Sequence, residues 1–364
     1  MTQKVIFTIG RMNIGGAETE FVQFVKCLRS RAAPVDIIVF VVSGLPGVYD
    51  DDLRKLGVKF VYGQTGVNGL FLLWRLCRLE NPDVLHINAE TAAGFYGFAG
   101  LLAGVRKRIA QYRSMKIERP FWLSVKYFIY AKLTGVFCTQ LIGVSDAGSV
   151  GRYVPKTKWR TIYSGFEQQN STRFEGLPLP KGYERETTNI IILGRLDHGK
   201  NIERGLAVFS TYLKTSTDNK AKLHIVGPEG NVSIAELAGQ ADKIGIGKST
   251  VFHGPSRTAL HYLAKSNVLL MTSRIEGLPR VVLEALSCGT PVVATTLPGV
   301  KEIARYTTGV FDVSLDQPNE VWARALQSAL RTDRSAIKSG FAKSIFEFER
   351  FYAATLDLWG VSQS

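Results

Sequence analysis

Met271-Thr-Ser-Arg-Ile-Glu276-Gly277-Leu278-Pro279-Arg280-Val-Val-Leu-Glu284-Ala-Leu-Ser-Cys-Gly289-Thr-Pro291-Val-Val-Ala-Thr-Thr-Leu-Pro-Gly299-Val-Lys-Glu302-Ile303 is the stretch on which the fold turns. An apolar strand ends at Ser273, and a turn follows that carries Glu276 and Gly277. Pro279 is expected in the first turn of a helix, where its missing N–H costs nothing. A second strand, 292–294, comes after Gly289-Thr-Pro291. The N–H groups of the first helical turn have no partner within the helix, and together with the helix dipole they make a site for a phosphate. Glu284, on the second turn, is buried enough to need a partner such as a sugar diol.

Outward from this stretch, short β-branched runs alternate with helix-period segments along the whole chain. The predicted strands are 5–9, 35–42, 59–62, 84–87, 108–111, 140–144 and 161–163, then 189–193, 223–226, 251–253, 268–271, 292–294 and 309–313. Most are apolar on both faces, as strands of a parallel sheet covered by helices must be. The pattern predicts an α/β chain of two Rossmann-like, doubly wound domains facing a central cleft. The N-terminal domain is read as 1–165. A linker rich in Pro, Gly and polar residues follows at 166–187, and the C-terminal domain is 188–344. The last segment, 345–364, has helical spacing and is expected to pack back on the first domain.

Two further elements carry chemistry. Ile191-Ile-Leu-Gly194-Arg195-Leu196-Asp197-His198-Gly199-Lys200-Asn201 delivers Arg195 to the C-terminal end of a strand, with Lys200 at the start of the next helix. Two cations there can clamp a diphosphate, Arg through bidentate contacts and Lys as a point charge. Gly10-Arg-Met-Asn-Ile-Gly15-Gly16-Ala17-Glu18 follows the first strand. Its glycine pair lets backbone approach a phosphate closely, but it is not the GxGxxG of dinucleotide oxidoreductases.

Together, Gly-Gly-Ala-Glu after strand one, Gly-Arg-Leu-x3-Lys-Asn at the start of the second domain and Glu-Gly-Leu-Pro-x4-Glu-Ala resemble family 4 of the retaining GT-B-fold glycosyltransferases. Asp83-Val-Leu-His86, Ile142-Gly-Val-Ser145, Ile162-Tyr-Ser-Gly165, Leu223-His-Ile-Val-Gly227 and Val251-Phe-His-Gly254 support the match, which runs in order over about residues 5–305. The resemblance implies that Glu284 binds the ribose of a nucleoside diphosphate sugar. Glu276 and the backbone of Gly277, Leu278 and Pro279 would hold the donor sugar and its phosphates. Arg195 and Lys200 would neutralise the departing diphosphate, with Gly15 and Gly16 meeting it from the other domain. His253 and Gly254 would border the base. Arg195, Lys200 and Glu276 are thus the catalytic candidates. Where the family often presents a His after the fifth strand, this chain reads Ile109-Ala-Gln111-Tyr-Arg113-Ser114, so Arg113 and His86 are the acceptor-side candidates.

The implied activity is transfer of a hexosyl group, with retention, to a saccharide acceptor in exopolysaccharide, capsule or lipopolysaccharide assembly, the acceptor being lipid-linked. No cofactor and no metal are implied, and Asp50-Asp51-Asp52 reads as a helix N-terminus rather than a metal motif. A GT-B nucleotide-sugar epimerase and a non-catalytic nucleotide-sugar binder share these motifs. The first would need more acid and base side chains around 85–115 than His86 and Glu90.

Composition bounds the rest. The chain has 364 residues, 45% hydrophobic and 21% charged, with four widely spaced cysteines. This excludes disordered, collagenous and disulfide-framework classes and fits a reduced, cytoplasmic protein. No export signal is read at residues 4–10 and no apolar run is long enough to span a membrane. The net charge is +14. Residues 104–160 alone hold 12 Lys and Arg against 2 Asp and Glu. Aromatic and aliphatic residues alternate with Lys over 121–132, which predicts contact with an anionic membrane surface from its inner side. No nucleic-acid module accompanies the charge.

Overall fold

The computed structural model describes residues 2–13, 15–113, 121–146, 155–166, 174, 176–218, 220–256 and 258–361, with backbone alone at 91 and 121–124. The chain forms two units, Met1–Gly165 with Glu349–Ser364, and Phe166–Phe348.

The first unit is built on seven parallel strands: β1 (Gln3–Ile9), β2 (Val35–Val41), β3 (Lys59–Tyr62), β4 (Val84–Ile87), β5 (Lys107–Tyr112), β6 (Gln140–Gly143) and β7 (Trp159–Thr161). Their order is β3-β2-β1-β4-β5-β6-β7. Val5–Ile9 and Ile37–Val41 are wholly buried, because helices cover both faces. Helix α1 (Gly16–Ser30) packs through Phe21, Phe24, Val25 and Leu28, one stripe at helical spacing. Helices α2 (Asp50–Lys55), α3 (Val67–Glu80), α4 (Ala93–Leu102) and α5 (Phe121–Phe137) complete the layers. The seventh strand is displaced two residues toward the N-terminus from its expected place at 161–163. Pairing of Leu141 with Trp159 and Gly143 with Thr161 sets the register, and the apolar run that suggested 161–163 lies beyond the ladder.

The helix Phe348–Trp359 also packs on this unit, from Glu349 onward. Trp359 is buried perpendicular to Phe24, ring centroids 5.2 Å apart. Its last carbonyls, which have no partner within the helix, accept from Lys107 Nζ at Leu358 (3.1 Å) and Gln3 Nε2 at Trp359 (2.8 Å).

The second unit holds six parallel strands: β8 (Asn189–Leu193), β9 (Lys222–Val226), β10 (Thr250–Gly254), β11 (Val268–Met271), β12 (Val292–Thr295) and β13 (Val310–Val313). Their order is β10-β9-β8-β11-β12-β13. Helices α6 (Ile202–Thr215), α7 (Ile234–Lys243) and α11 (Asn319–Ala329) cover one face. Helices α8 (Ala259–Lys265), α9 (Arg280–Ser287), α10 (Pro298–Tyr306) and α12 (Arg334–Ala342) complete the unit. The described part of 166–187 is not a free linker: Phe166, Phe174 and Tyr183 are buried, and Tyr183 stacks on His224 at 3.8 Å. A run of Pro, Gly and polar residues conceals these three aromatic anchors. Phe166 pairs with the strand-like segment before the last helix, its N–H donating to Phe346 O (2.8 Å) and its C=O accepting from Phe348 (3.1 Å).

Candidate functional site

In each sheet the strand order reverses beside the first strand of the unit, between β1 and β4 and between β8 and β11. In open parallel sheets ligands bind beyond the C-terminal ends of the strands at such reversals. In the second unit the two loops at this point are 194–201, after β8, and 272–279, after β11.

Those loops are tied to one another. Thr272 Oγ1 donates to Asn201 O (2.8 Å), Arg274 N–H to Gly199 O (2.8 Å), and Arg274 Nη2 to Asn201 Oδ1 (3.0 Å). Asn201 itself caps α6 in a left-handed conformation, φ 51°, which Asn tolerates better than most residues. Asp197 Oδ1 accepts the Lys200 N–H (3.0 Å), and its other oxygen accepts Arg195 Nε (3.1 Å). The result is a bridge across the reversal: Lys200 Nζ donates to Glu276 Oε1 at 2.5 Å, and Ser273 Oγ donates to the same oxygen at 3.0 Å. The Lys200 and Glu276 side chains are 29% and 17% exposed, whereas Arg195 is 68% exposed and projects into solvent.

Helix α9 starts beside this bridge. Pro279 is its N-cap, in an extended conformation, rather than a residue of the first turn; the helix proper starts at Arg280. A proline at the N-cap enters the helix with φ −71° but keeps ψ at 102°, so only its carbonyl joins the helical bonding. Glu284 follows on the second turn. Burial raises its carboxyl above the ordinary range, partly offset by the charges of Arg280 and Lys200. No described residue hydrogen-bonds that carboxyl. The Glu276–Pro279 loop rests on the start of α10: a Cβ at Gly299 would lie 1.9 Å from Gly277 O, so only glycine permits this approach.

His253 and Gly254 end β10, two strands from β8 on the other side of β9. The intervening strand ends are locked together by Gly227, whose N–H donates to Gly254 O (2.8 Å) and where a Cβ would come within 1.9 Å of Gly194 O. His224 Nδ1 lies 3.0 Å from His253 Nε2, and His224 Nε2 lies 2.9 Å from Asn189 Oδ1.

The remaining candidates belong to the first unit. Gly15 is the N-cap of α1 and Gly16 its first residue, in the loop that follows β1 at the strand reversal. Arg113, just after β5, donates from Nη2 to Glu20 Oε1 (2.8 Å), and its N–H to Glu90 Oε1 (2.7 Å). Glu20 is 1% exposed, so Arg113 first of all neutralises a buried carboxylate. His86 is not available to an acceptor. It is buried, its Nδ1 accepts Trp359 Nε1–H at 3.0 Å and its Nε2 meets Gln111 Oε1 at 3.0 Å. Because an indole N–H only donates, the His86 proton sits on Nε2. Burial lowers its pKa to about 3. Strand alternation points His86 inward, a fact the Asp-Val-Leu-His motif does not reveal.

The structure therefore brings Arg195, Lys200, Glu276, Gly277, Leu278, Pro279 and Glu284 to one strand reversal, with His253 and Gly254 along the same sheet edge. The supports that sequence reading missed are Asp197, Asn201, Ser273, Arg274 and Gly299. Asp197 carries a legible signal, since an Asp in a turn commonly accepts a backbone N–H a few residues further on, here that of Lys200. Among the described residues no group of three or more His, Cys, Asp or Glu could hold a metal ion.

Residues 180–336 match the family model for glycosyl transferases group 1. The fold superposes on Anabaena HepE, solved in complex with UDP-glucose, with a TM-score of 0.78 at 17% identity, covering 97% of this chain and 99% of that one. Residues 180–336 are thus related to the glycosyl transferases of group 1, and the chain has the GT-B fold. The chain is 26% identical over 311 residues to the capsular polysaccharide biosynthesis glycosyltransferase CapH of Staphylococcus aureus, covering 83% of this chain and 84% of CapH. It is 29% identical over 315 residues to the amylovoran biosynthesis glycosyltransferase AmsD of Erwinia amylovora, covering 85% and 77%.

Proposed function

We propose that this glycosyltransferase moves a hexosyl group, with retention, from a nucleoside diphosphate sugar held by the second unit to a lipid-linked saccharide in cell-surface polysaccharide assembly. The observation that carries the reading is the bridge of Lys200 and Glu276 across the β8/β11 reversal, with Arg195 exposed on one side and the half-buried Glu284 carboxyl on the other. A half-buried carboxyl to which no described residue donates matches a ribose diol, which offers two hydroxyl donors. UDP-glucose in HepE supports a uridine donor, and the names of CapH and AmsD support polysaccharide assembly.

In the reaction the bond between the sugar's anomeric carbon and the β-phosphate oxygen breaks, and the acceptor oxygen bonds to that carbon on the same face. The acceptor proton passes to the leaving phosphate. Negative charge grows on the diphosphate, where Arg195, Lys200 and the N-terminal turn of α9 stabilise it electrostatically. Glu276 holds Lys200 in place and accepts from the donor sugar's hydroxyls. Gly277, Leu278 and Pro279 line the sugar and phosphates, Gly15 and Gly16 offer the N-terminus of α1 to the diphosphate, and Arg113 is the acceptor-side cation. These groups supply the charge stabilisation without a metal.

The acceptor's lipid calls for a membrane face. Helices α4 and α5 pack together, with Phe98 and Phe137 rings 4.9 Å apart, and leave Phe98, Leu101, Leu102, Phe128, Ile129 and Val136 exposed beside Lys126 and Lys132. Part of the basic excess of 104–160 is used internally: Arg108 donates to Phe137 O (2.7 Å) and Lys158 to Gly135 O (2.7 Å). The membrane reading therefore rests on this apolar, cationic helix face rather than on the charge count. No helix among the described residues is long and apolar enough to cross a membrane, so attachment would be peripheral, on the cytoplasmic side.

Thermal unfolding with UDP, GDP, ADP and CMP tests the donor reading. One nucleoside diphosphate at 100 times its Kd is expected to stabilise the protein by about 2.7 kcal/mol, and Glu284→Ala to abolish the effect. Stabilisation by none of the four would overturn it.

A further inference from the structure

Arg195-Leu196-Asp197 runs extended past the end of β8, so its side chains alternate. Leu196 is buried, and its backbone is tied to the loop after β9. Its N–H donates to Pro228 O (2.9 Å), and its C=O accepts from Gly230 (3.0 Å) and Val232 (3.2 Å). Arg195 and Asp197 therefore leave the chain on the same side, where Arg195 Nε donates to Asp197 Oδ2 at 3.1 Å. The Arg195 stem also lies against Gly230, where a Cβ would come within 3.1 Å of Cγ and 3.3 Å of Cδ. Neither Nη1 nor Nη2 has a hydrogen-bond partner among the described residues. The guanidinium is thus held along one edge and open to solvent at its end.

The Asp197 side chain has little else to do. Its other oxygen accepts the Lys200 N–H at 3.0 Å, but the main-chain carbonyl of Asp197 accepts the same N–H at 3.0 Å, so the turn has a backbone bond of its own. Arg195 is largely exposed, and ion pairs of that kind stabilise a fold weakly. A carboxylate next to a diphosphate site is also unfavourable in itself, like charge facing like charge. What the pair does change is the direction of the cation. A long surface side chain samples many rotamers, and ordering it only when a ligand arrives costs affinity.

Resting on the donor reading above, we infer that Asp197 is a positioning residue for the diphosphate clamp. It takes the Nε edge of Arg195 and leaves the Nη1–Nη2 edge for the ligand, where two parallel N–H donors match two oxygens of one phosphate. Gly230 belongs to the same device, because any side chain there would lift the arginine stem from its bed. Asp197 acts on the nucleotide only through Arg195, and by itself repels it.

The test is a double-mutant cycle on the full chain. It is read by calorimetric titration with whichever of UDP, GDP and ADP the wild type binds most tightly. Arg195→Ala should weaken binding about 10-fold or more, the loss of a charge-assisted contact. Asp197→Ala should weaken it about 3- to 10-fold, the cost of ordering one long side chain on binding. In the Arg195→Ala protein the same Asp197→Ala change should leave affinity unchanged or raise it, since only a like charge is then removed. Asp197→Asn, which keeps the shape of the turn, should show the same pattern in smaller steps and serves where the alanine variant does not fold. Weakening in both backgrounds makes Asp197 a structural support and overturns the inference. Unchanged or tighter binding by Asp197→Ala with Arg195 present, or by Arg195→Ala itself, overturns it as well, and in each of these cases the donor reading stands. Binding of none of the three nucleotides by the wild type removes the inference and the donor reading together.

Discussion

Lys200 and Glu276 pair across the strand reversal, and on the proposed mechanism each acts on a different part of the donor. Glu276→Gln keeps a hydrogen-bonding side chain beside Lys200 and removes the charge that holds the ammonium. On the proposed mechanism it should lower kcat/KM by about 10²-fold, the scale of losing one electrostatic contact to a transition state. Transfer of radiolabelled sugar from UDP-glucose into a lipid extract, with circular dichroism as the folding control, measures it. Two other residues speak to stability. Burial brings His86 and His224 down to about 3, while in the unfolded chain both titrate near 6.5. Below 6.5 the unfolded state binds the extra protons, so stability falls as pH falls toward 3. Between pH 7.5 and 5.5 each histidine should cost its unit about 1.4 kcal/mol. Urea unfolding at the two pH values checks this, and His86→Gln should remove the first unit's share.

Among elements, the C-terminal helix is the one whose contacts are most unequal in worth. Arg31 pairs with Glu349 and lies over the Tyr352 ring, but both charged side chains are about half exposed, and such pairs contribute less than about 1 kcal/mol. Trp359 is buried, and its N–H is the donor to His86 Nδ1. Trp359→Phe preserves most of the apolar contact with Phe24 but orphans that nitrogen, at an expected cost of about 1–3 kcal/mol. Arg31→Ala should cost less. Comparing the two on the urea transition of the first unit decides whether hydrogen bonding inside the core or charge at its rim holds the helix. The same contrast explains why His86 looked like a site residue in the sequence. Its motif is visible there, while the indole 273 residues later that occupies it is not.

For the molecule as a whole, the two sheets repeat one design: a strand reversal with a glycine-containing loop at its C-terminal edge, Gly15 and Gly16 in one and Gly194 and Gly277 in the other. The outer face of α4 and α5 adds an asymmetry, since among the described residues only the first unit displays a run of exposed apolar residues flanked by lysines. Flotation with vesicles of mixed anionic and zwitterionic lipid should recover the full chain at low salt and release it as salt rises. Charge reversal at Lys126 and Lys132 should weaken binding by at least about 1 kcal/mol for each lysine. Binding that ignores both salt and charge reversal would count against the electrostatic part of this reading.

The sequence alone determined the α/β class, thirteen parallel strands to within a few residues, and the family resemblance that the domain match and the GT-B superposition bear out. These are local or in-order properties: a buried parallel strand must be apolar on both faces, and a helix start needs Gly, Pro or a cap wherever it occurs. Only the tertiary structure decided that His86 is core, that Arg113 answers a buried Glu20, that Phe174 and Tyr183 anchor what looks like linker, and that His224 bonds both Asn189 and His253. Each of these joins residues tens to hundreds of positions apart. Which side of a strand a polar residue faces, and what waits for it there, is settled by packing between elements that no short-range pattern encodes.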